Sequence, residues 1–186
     1  MKLFFVDLET TGLTPSRHSI IDIAIITTNE MGMGIKEYNS KARPTEYAIE
    51  IAEKKALEVN KYNANDWAMA PEIWQVDQAI CETFGDSNNP EYIPIGWNIN
   101  FDVNFMMQHF AGGTRFFTNG ESSSFRFHHH SLDLMSMGWP KGLFNFAKKP
   151  HLSDLCQLLS IPVQNEHTAL GDVKMYLACY LKLLRR

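Results

Sequence analysis

Hydrophobic positions change their spacing along the chain, and these changes predict where strands and helices lie. Leu3 to Val6 is a continuous apolar run, typical of a strand that is covered on both faces at the centre of a sheet. A second strand is expected from about Ile20 to Thr28, which is rich in Ile and Thr. A third is expected from about Ile35 to Ala42, after a glycine-bearing turn. Together the three strands predict an antiparallel meander.

Helical patterns follow in the middle of the chain. Ile49 to Val59, with its Ala, Glu and Lys, predicts one helix. Pro71 to Phe84 predicts another, because proline is favoured in a first helical turn and an apolar stripe follows it. Tyr92 to Trp97 then predicts a strand, and Phe101 to Phe110 a helix that the chain enters from this strand.

The last part of the chain predicts a loop, a strand and two helices. Gly112 to Ser124 is rich in Gly, Ser, Thr and Asn and predicts an exposed loop or hairpin, an insertion reaching to about residue 130. His128 to Met135 predicts a further strand. Helices are expected near Leu152 to Leu159 and from about Ala169 to Leu184. Strands that alternate with helices after a meander indicate an α/β sandwich with a mixed sheet.

Length and composition fit one globular domain over residues 1–186, since 45% of the 186 residues are hydrophobic. The first apolar run stops at Asp7, too soon for a signal-peptide core, and no later run approaches a membrane span. We therefore expect a soluble, cytoplasmic protein without a membrane partner. Cys81, Cys156 and Cys179 lie in apolar helical patterns and are expected to be reduced, buried thiols.

The net charge of −4, from 17 basic and 21 acidic residues, argues against a broad electrostatic grip on duplex nucleic acid. Four carboxylates that lie within candidate site motifs formally account for this excess of negative charge. Two divalent cations among them would cancel it, so the acidity suits a metal site better than it excludes a phosphate substrate. These four carboxylates are Asp7, Glu9, Asp102 and Asp172.

Asp7 and Glu9 follow the first strand at a spacing of two, which puts both side chains on one side of the strand. The glycine turn that comes next lets the backbone of Thr10 to Leu13 approach a ligand closely. For this pair alone, an exposed strand end with two solvated acids explains the pattern equally well.

Asp102 lies at the expected start of a helix, just beyond the carboxyl end of the strand that ends at Trp97. Open α/β sheets bind ligands at such ends. Taken alone, Asp102 is better explained by the helix dipole, and helix capping is an alternative explanation for Asn98 or Asn100. His167 and Asp172 are five residues apart, so they face one site only if His167 lies on a loop before the helix of Asp172.

Six of the seven histidines lack a comparable carboxylate partner nearby in sequence, and surface or strand positions suffice to explain them. The run from His128 to His130 is internal. It is too short to identify from the sequence as a purification tag or a metal-binding tract.

With these motifs in this order, the chain resembles the DnaQ-like, DEDDh family of 3′ to 5′ exonucleases from about Phe4 to Leu184. The resemblance implies the RNase H-like fold, a three-layer α/β sandwich with a central mixed five-stranded sheet flanked by helices. The motifs are Asp7-Leu8-Glu9-Thr10-Thr11-Gly12-Leu13, Asn98-Ile99-Asn100-Phe101-Asp102 and His167-Thr168-Ala169-Leu170-Gly171-Asp172. Leu132-Asp133-Leu134 also resembles the fifth strand of the family, where an Asp is usually structural.

The resemblance also implies the chemistry and the role of each residue. Two divalent cations, Mg²⁺ or Mn²⁺, would act on a phosphodiester and release nucleoside 5′-monophosphates one at a time. Their ligands would be Asp7, Glu9, Asp102 and Asp172. His167 would accept the proton of the attacking water.

Four further residues match family positions around the terminal nucleotide: Thr10, Leu13, Asn98 and Phe101. The turn with the sequence Glu-Thr-Thr-Gly-Leu looks more like that of the proofreading members of the family, which slightly favours DNA over RNA as the substrate. A 3′ to 5′ exoribonuclease of the RNase T or oligoribonuclease type is the alternative, followed by a non-catalytic nucleic-acid-binding domain. The expected partners are single-stranded DNA or RNA 3′ ends, with a polymerase in trans or a second copy of the chain as further candidates.

Overall fold

A mixed sheet with five strand positions forms the middle layer of the protein. The computed structural model describes residues 2–34, 36–85, 91–110, 126–144 and 150–185. The strands are β1 (Lys2–Thr10), β2 (Ile20–Thr28), β3 (Lys36–Lys41), β4 (Glu91–Gly96), β5 (Arg126–Phe127) and β6 (Leu132–Asp133). Their order is β3-β2-β1-β4, and β5 and β6 share the fifth position because both pair with β4. β1, β2 and β3 are antiparallel neighbours, whereas β4 is parallel to β1, β5 and β6.

Helices cover both faces of this sheet. They are α1 (Glu46–Glu50), α2 (Lys54–Val59), α3 (Ala64–Trp67), α4 (Ile73–Phe84), α5 (Asn100–His109), α6 (Leu134–Gly138), α7 (Leu152–Leu158) and α8 (Ala169–Leu184). Phe4 and Val6 of β1 pack in one apolar cluster with α4 and α5. Leu3 and Phe5 point the other way, into a cluster with α7 and α8. Burial on both faces explains why β1 is continuously apolar, and the expected three-layer α/β sandwich is confirmed.

The helix expected from Ile49 to Val59 is interrupted, and this prediction was wrong. α1 ends at Glu50 and α2 begins at Lys54. Between them Glu53 makes two contacts with the turn after β1: its N–H donates to the Thr11 carbonyl at 2.8 Å, and its carboxylate accepts the Leu13 N–H at 3.0 Å. These tertiary contacts break a segment whose local pattern is helical throughout.

The strand expected from His128 to Met135 is also shorter than predicted. Within this stretch the strand β6 covers only Leu132 and Asp133, because Asp133 caps α6 by accepting the Met135 N–H at 3.1 Å, and the helix begins at Leu134. β5 was not predicted, since it lies within the stretch interpreted as a loop reaching to residue 130. The loop or hairpin expected for residues 112–124 lies outside the described residues.

α3 was likewise missed by the sequence pattern. It is a single turn whose Trp67 is buried and donates its indole N–H to the Ile21 carbonyl at 2.6 Å. All three cysteines are free thiols. Cys156 and Cys179 are buried as expected, with their Sγ atoms 3.7 Å apart, whereas Cys81 is only half-buried. Within the described ranges, no helix combines the length and the apolar character needed to cross a membrane.

Candidate active site

The site forms where β1 extends beyond its parallel neighbour. β1 pairs with β4 only from Lys2 to Phe5, and β4 ends at Gly96, whereas β1 continues to Thr10. On its other edge β1 is paired with β2 from Leu3 to Thr10, with one irregularity between Glu9 and Thr10. The acids at positions 7 and 9 therefore lie on a firmly held strand with one free edge, to which other elements can bring side chains.

Asp102 occupies this free edge. It lies in the first turn of α5, is 2% exposed, and its Oδ1 accepts the N–H of Leu8 at 3.0 Å. β4 ends too early to pair with that N–H, so Asp102 supplies the acceptor that a strand would have given. Since Leu8 stands between Asp7 and Glu9, this bond holds Asp102 directly beside both strand acids.

α8 brings the fourth carboxylate. Asp172 lies in its first turn, after the N-cap residue Thr168, whose Oγ1 accepts the Gly171 N–H at 3.1 Å and donates to the Asn165 carbonyl at 2.7 Å. A Cβ at Gly171 would lie 2.2 Å from that carbonyl. The loop before α8 can therefore pass this close to the helix only because residue 171 has no side chain. As a result, carboxylate oxygens of Asp7, Glu9 and Asp172 lie within 4.8 Å of one another.

His167 lies on the turn just before the α8 N-cap, as the spacing from Asp172 required. Its φ of 63° is in the left-handed region, which is uncommon for residues other than glycine and recurs at functional sites. The backbone of His167 lies beside the Asp172 carboxylate and lowers its pKa. The imidazole is exposed and lies outside the compact carboxylate cluster found among the described residues.

Burial is the largest cause that raises the pKa values of all four carboxyl groups, and the charges of neighbouring carboxylates raise them further. Burial is the larger cause for Asp7, followed by the charges of Asp102 and Asp172, and burial likewise raises the pKa of Asp102. Burial and the charge of Asp172 raise the pKa of Glu9 to about 8. Burial raises the pKa of Asp172 to about 7, against the hydrogen bond from His167. Without cations these groups therefore retain protons near neutral pH.

A divalent cation fits this arrangement. The Oδ1 atom of Asp172 is buried and, within the part of the chain that the structure describes, has no hydrogen-bond partner. A buried carboxylate oxygen without a partner is costly, and a cation would satisfy it. Oxygen ligands of this kind suit hard cations such as Mg²⁺ and Mn²⁺.

Two side chains at the site were not identified from the sequence. Tyr176 is buried on α8, and its hydroxyl donates a hydrogen bond to Oδ1 of Asp7. The spacing of four residues from Asp172 was an available signal, because it puts both side chains on one face of α8. Asp22 faces Glu9 across the β1–β2 pair, and burial raises its pKa to about 6. Asp22 could be found only by knowing the strand register.

A cleft of about 310 Å³ opens beside the carboxylates. Three of the residues expected to hold the terminal nucleotide line it, namely Thr10, Leu13 and Phe101, and Leu13 is 69% exposed. The opposite wall was not expected from the sequence and comes from α2 and its flanks: Glu53, Lys55, Ala56, Val59 and Asn60. The Asn60 amide also donates to the Thr10 carbonyl at 2.8 Å, which fixes this wall to the end of β1.

Asn98, the fourth of these residues, is not among the residues found to line the cleft. It is exposed, with a φ of 57°, and its N–H donates to the Asp133 carboxylate at 2.9 Å. Asp133 thus ties the turn before α5 to the end of β6 as well as capping α6. This is a structural role, as the resemblance implied.

The comparisons with known proteins agree with this geometry. The family model for the RNase T type of exonuclease matches residues 4–180. The chain belongs to the exonuclease family. The DnaQ-like resemblance and the RNase H-like fold that it implied are thereby confirmed. No curated protein matches this exonuclease-family chain by sequence comparison.

Solved structures of exonuclease I share the fold of this exonuclease domain. The zinc-bound E. coli exonuclease I complex with single-stranded DNA has a TM-score of 0.74 at 17% identity, over 100% of this chain and 40% of that one. E. coli exonuclease I with a dT13 oligonucleotide has a TM-score of 0.73 at 18% identity, over 99% and 41%. The enzyme from Methylocaldum szegediense gives 0.70 at 20%, over 99% and 40%. The chain therefore spans about two-fifths of the length of these structures.

Proposed function

We propose that this chain is a metal-dependent 3′ to 5′ exonuclease that removes nucleoside 5′-monophosphates from single-stranded ends, DNA in preference to RNA. The observation that carries the proposal is the convergence of Asp7, Glu9, Asp102 and Asp172 at the free end of β1, beside a cleft. Membership of the exonuclease family supports nuclease chemistry. The exonuclease I structures with bound oligonucleotides support a single-stranded substrate.

Two divalent cations would lower the pKa of the attacking water and stabilise the departing 3′ oxygen. Asp7 would contact both ions, Glu9 and Asp172 the one nearer the water, and Asp102 the other. The chain holds these ligands ready through buried hydrogen bonds. Leu8 fixes Asp102, and Tyr176 orients Asp7. Such preorganised ligands need little rearrangement when cations and substrate arrive.

His167 is proposed to accept the proton of the attacking water. Histidine side chains can exchange a proton near neutral pH. The exposed imidazole can reach solvent and an arriving substrate, while the backbone of His167 lies beside the Asp172 carboxylate and next to the N-cap Thr168. The group proposed to take the proton thus lies on the turn that leads directly into the helix of one proposed metal ligand.

The form of the cleft favours removal of a terminal nucleotide over internal cleavage. Leu13 offers an exposed apolar side chain, and Phe101 a half-buried ring, for contact with the last base. The α2 wall limits the space beyond that base, because Glu53 holds it against the turn after β1 and Asn60 holds it against the end of β1. A strand that continued past the terminus would meet this wall.

The test compares matched DNA and RNA oligonucleotides of one sequence, labelled at the 5′ end, with Mg²⁺, Mn²⁺ or a chelator. We expect a ladder that shortens by single nucleotides with either cation, faster for DNA, and no cleavage with the chelator. The Asp7→Asn variant is the matched control and should be inactive with the same fold. Faster loss of RNA would replace the DNA preference by the exoribonuclease alternative. Chelator-resistant cleavage, or unchanged activity in Asp7→Asn, would reject the proposed site.

A further inference from the structure

We propose that the three consecutive histidines 128–130 form a second metal site, which takes a borderline transition-metal cation such as Zn²⁺. Their rings gather on one side of the chain, with centroid separations of 4.2 Å between His128 and His129, 4.0 Å between His129 and His130, and 4.9 Å between His128 and His130. One ring nitrogen of each lies within 4.8 Å of the others. This inference does not depend on the proposed nuclease activity.

Adjacency in sequence does not by itself produce this cluster. In an extended strand, successive side chains point to opposite faces, so the middle ring would lie away from its neighbours. Here the run belongs to the connection between β5 and β6, which both pair with β4. Phe127 is opposite Tyr92 and Leu132 is opposite Ile95, so four residues cross a distance that two residues cover on β4. The two extra residues force the connection to bulge, as in a β-bulge, and the rings turn together.

The connection is fixed at its start. The His128 N–H donates to the Tyr92 carbonyl at 2.7 Å, which continues the β4–β5 pairing by one residue. The His130 N–H then bends back to Nδ1 of His128 at 3.1 Å. Folding therefore already orders part of the site. A flexible histidine tract would instead lose this conformational entropy when it binds the metal.

The spacing of two nitrogens fits a tetrahedral ion. Nδ1 of His128 and Nδ1 of His130 are 3.3 Å apart and share a hydrogen bond, which a bound ion would replace. Two Zn–N bonds of usual length at a tetrahedral angle separate their nitrogens by about 3.3 to 3.4 Å. The ion competes with the His130 N–H for the nitrogen of His128, so we expect micromolar affinity and not the tighter binding of a structural zinc site.

The ligand chemistry separates this site from the carboxylate cluster. Imidazole nitrogens suit Zn²⁺, Cu²⁺ and Ni²⁺, whereas Mg²⁺ prefers oxygen. His129 and His130 are exposed and His128 is half-buried, so a cation can reach all three rings. Three protein ligands leave a fourth position to water. A bound ion would hold the connection that leads into β6 and Asp133.

The test titrates Zn²⁺ into the full chain with excess Mg²⁺, in competition with a chromophoric chelator at pH 7.5. An Asp7→Asn, Asp172→Asn background removes the carboxylate site. We expect one equivalent of Zn²⁺ with micromolar affinity, weakened about tenfold or more when His129 and His130 are both replaced by Ala, each lost ligand removing a coordinate bond.

Two controls keep the proposal falsifiable. His151→Asn removes an exposed histidine elsewhere and retains a residue able to cap α7, so Zn²⁺ affinity should be unchanged. A peptide of residues 126–133 has the three histidines without β4, and it should bind about tenfold more weakly if folding prepares the site. Equal affinity of the peptide and the protein, or unchanged binding in the double alanine variant, would overturn the proposal.

Discussion

Replacing Tyr176 with Phe removes one hydroxyl from the centre of the site and leaves the ring packed in α8. That hydroxyl donates to Oδ1 of Asp7, and this bond lowers the pKa of Asp7 against the raising effects of burial and neighbouring charges. A hydrogen bond to a charged group contributes about 1.5 to 3 kcal/mol. Its loss therefore raises the pKa of Asp7 further.

The sign of the kinetic effect follows from the need for an ionised ligand. A higher pKa keeps Asp7 protonated to a higher pH, so protons compete better with the cation. In Tyr176→Phe the acidic limb of the pH profile of kcat/KM should therefore move upward. The shift should be largest at limiting Mg²⁺ and diminish at saturating Mg²⁺, because bound cations displace the proton.

The assay measures kcat/KM on single-stranded DNA from pH 5.5 to 9 at several Mg²⁺ concentrations. Tyr180→Phe is the matched control, since Tyr180 also lies on α8 but its hydroxyl donates to the Glu30 carbonyl at 3.3 Å. The pH profile of kcat/KM for Tyr180→Phe should match that of the unmodified chain. Superimposable profiles and equal Mg²⁺ requirements for Tyr176→Phe and the unmodified chain would refute the assigned role of the hydroxyl.

Four other predictions rest on the site and on the contacts that support it. The folded-state pKa values of Glu9 and Asp172, about 8 and about 7, lie above the ordinary 4.5 and 3.8. Their stabilising contribution is therefore fully present below about pH 4 and is lost as the pH rises to about 8, so Tm in chelator should fall over this window and recover with Mg²⁺. Asp172→Asn should abolish hydrolysis yet stabilise the cation-free protein at pH 8, by up to about 4 kcal/mol, and a lower Tm than the unmodified chain would contradict this. Leu13→Ala should raise KM for single-stranded DNA several-fold with little change in Tm, since the side chain is 69% exposed; an unchanged KM would remove Leu13 from the substrate contacts. Gly171→Ala should lower stability by about 1 to 3 kcal/mol in urea unfolding, because its Cβ would meet the Asn165 carbonyl at 2.2 Å; unaltered stability would show that the loop can move aside.

The parts of the site that depend on local rules could be predicted from the sequence. The spacing of Asp7 and Glu9 defines one side of a strand wherever that strand lies. The five-residue separation of His167 and Asp172 requires a turn between them, and the structure has that turn directly before α8. Asp102 was expected at the carboxyl end of a strand, where the early end of β4 leaves the Leu8 N–H for it.

The parts that depend on contacts between distant segments could not be predicted. The break between α1 and α2 comes from Glu53 binding the turn after β1, and nothing within the helical pattern indicates it. β6 ends at Asp133 because this residue caps α6, whereas the local sequence pattern predicts that the strand continues through it. Asp22 became visible only with the β1–β2 register, which places it opposite Glu9.

The central claim is that four carboxylates from three elements hold a pair of cations beside the terminal nucleotide. The most direct test is anomalous diffraction from crystals grown with Mn²⁺ and a nucleoside 5′-monophosphate. We predict two Mn²⁺ peaks roughly 3.5 to 4 Å apart, one bound by Asp7, Glu9 and Asp172 and the other by Asp7 and Asp102, with the base in the cleft between Leu13 and Phe101. Saturating Mn²⁺ that leaves the carboxylates without an anomalous peak, or that binds only elsewhere, would contradict the account.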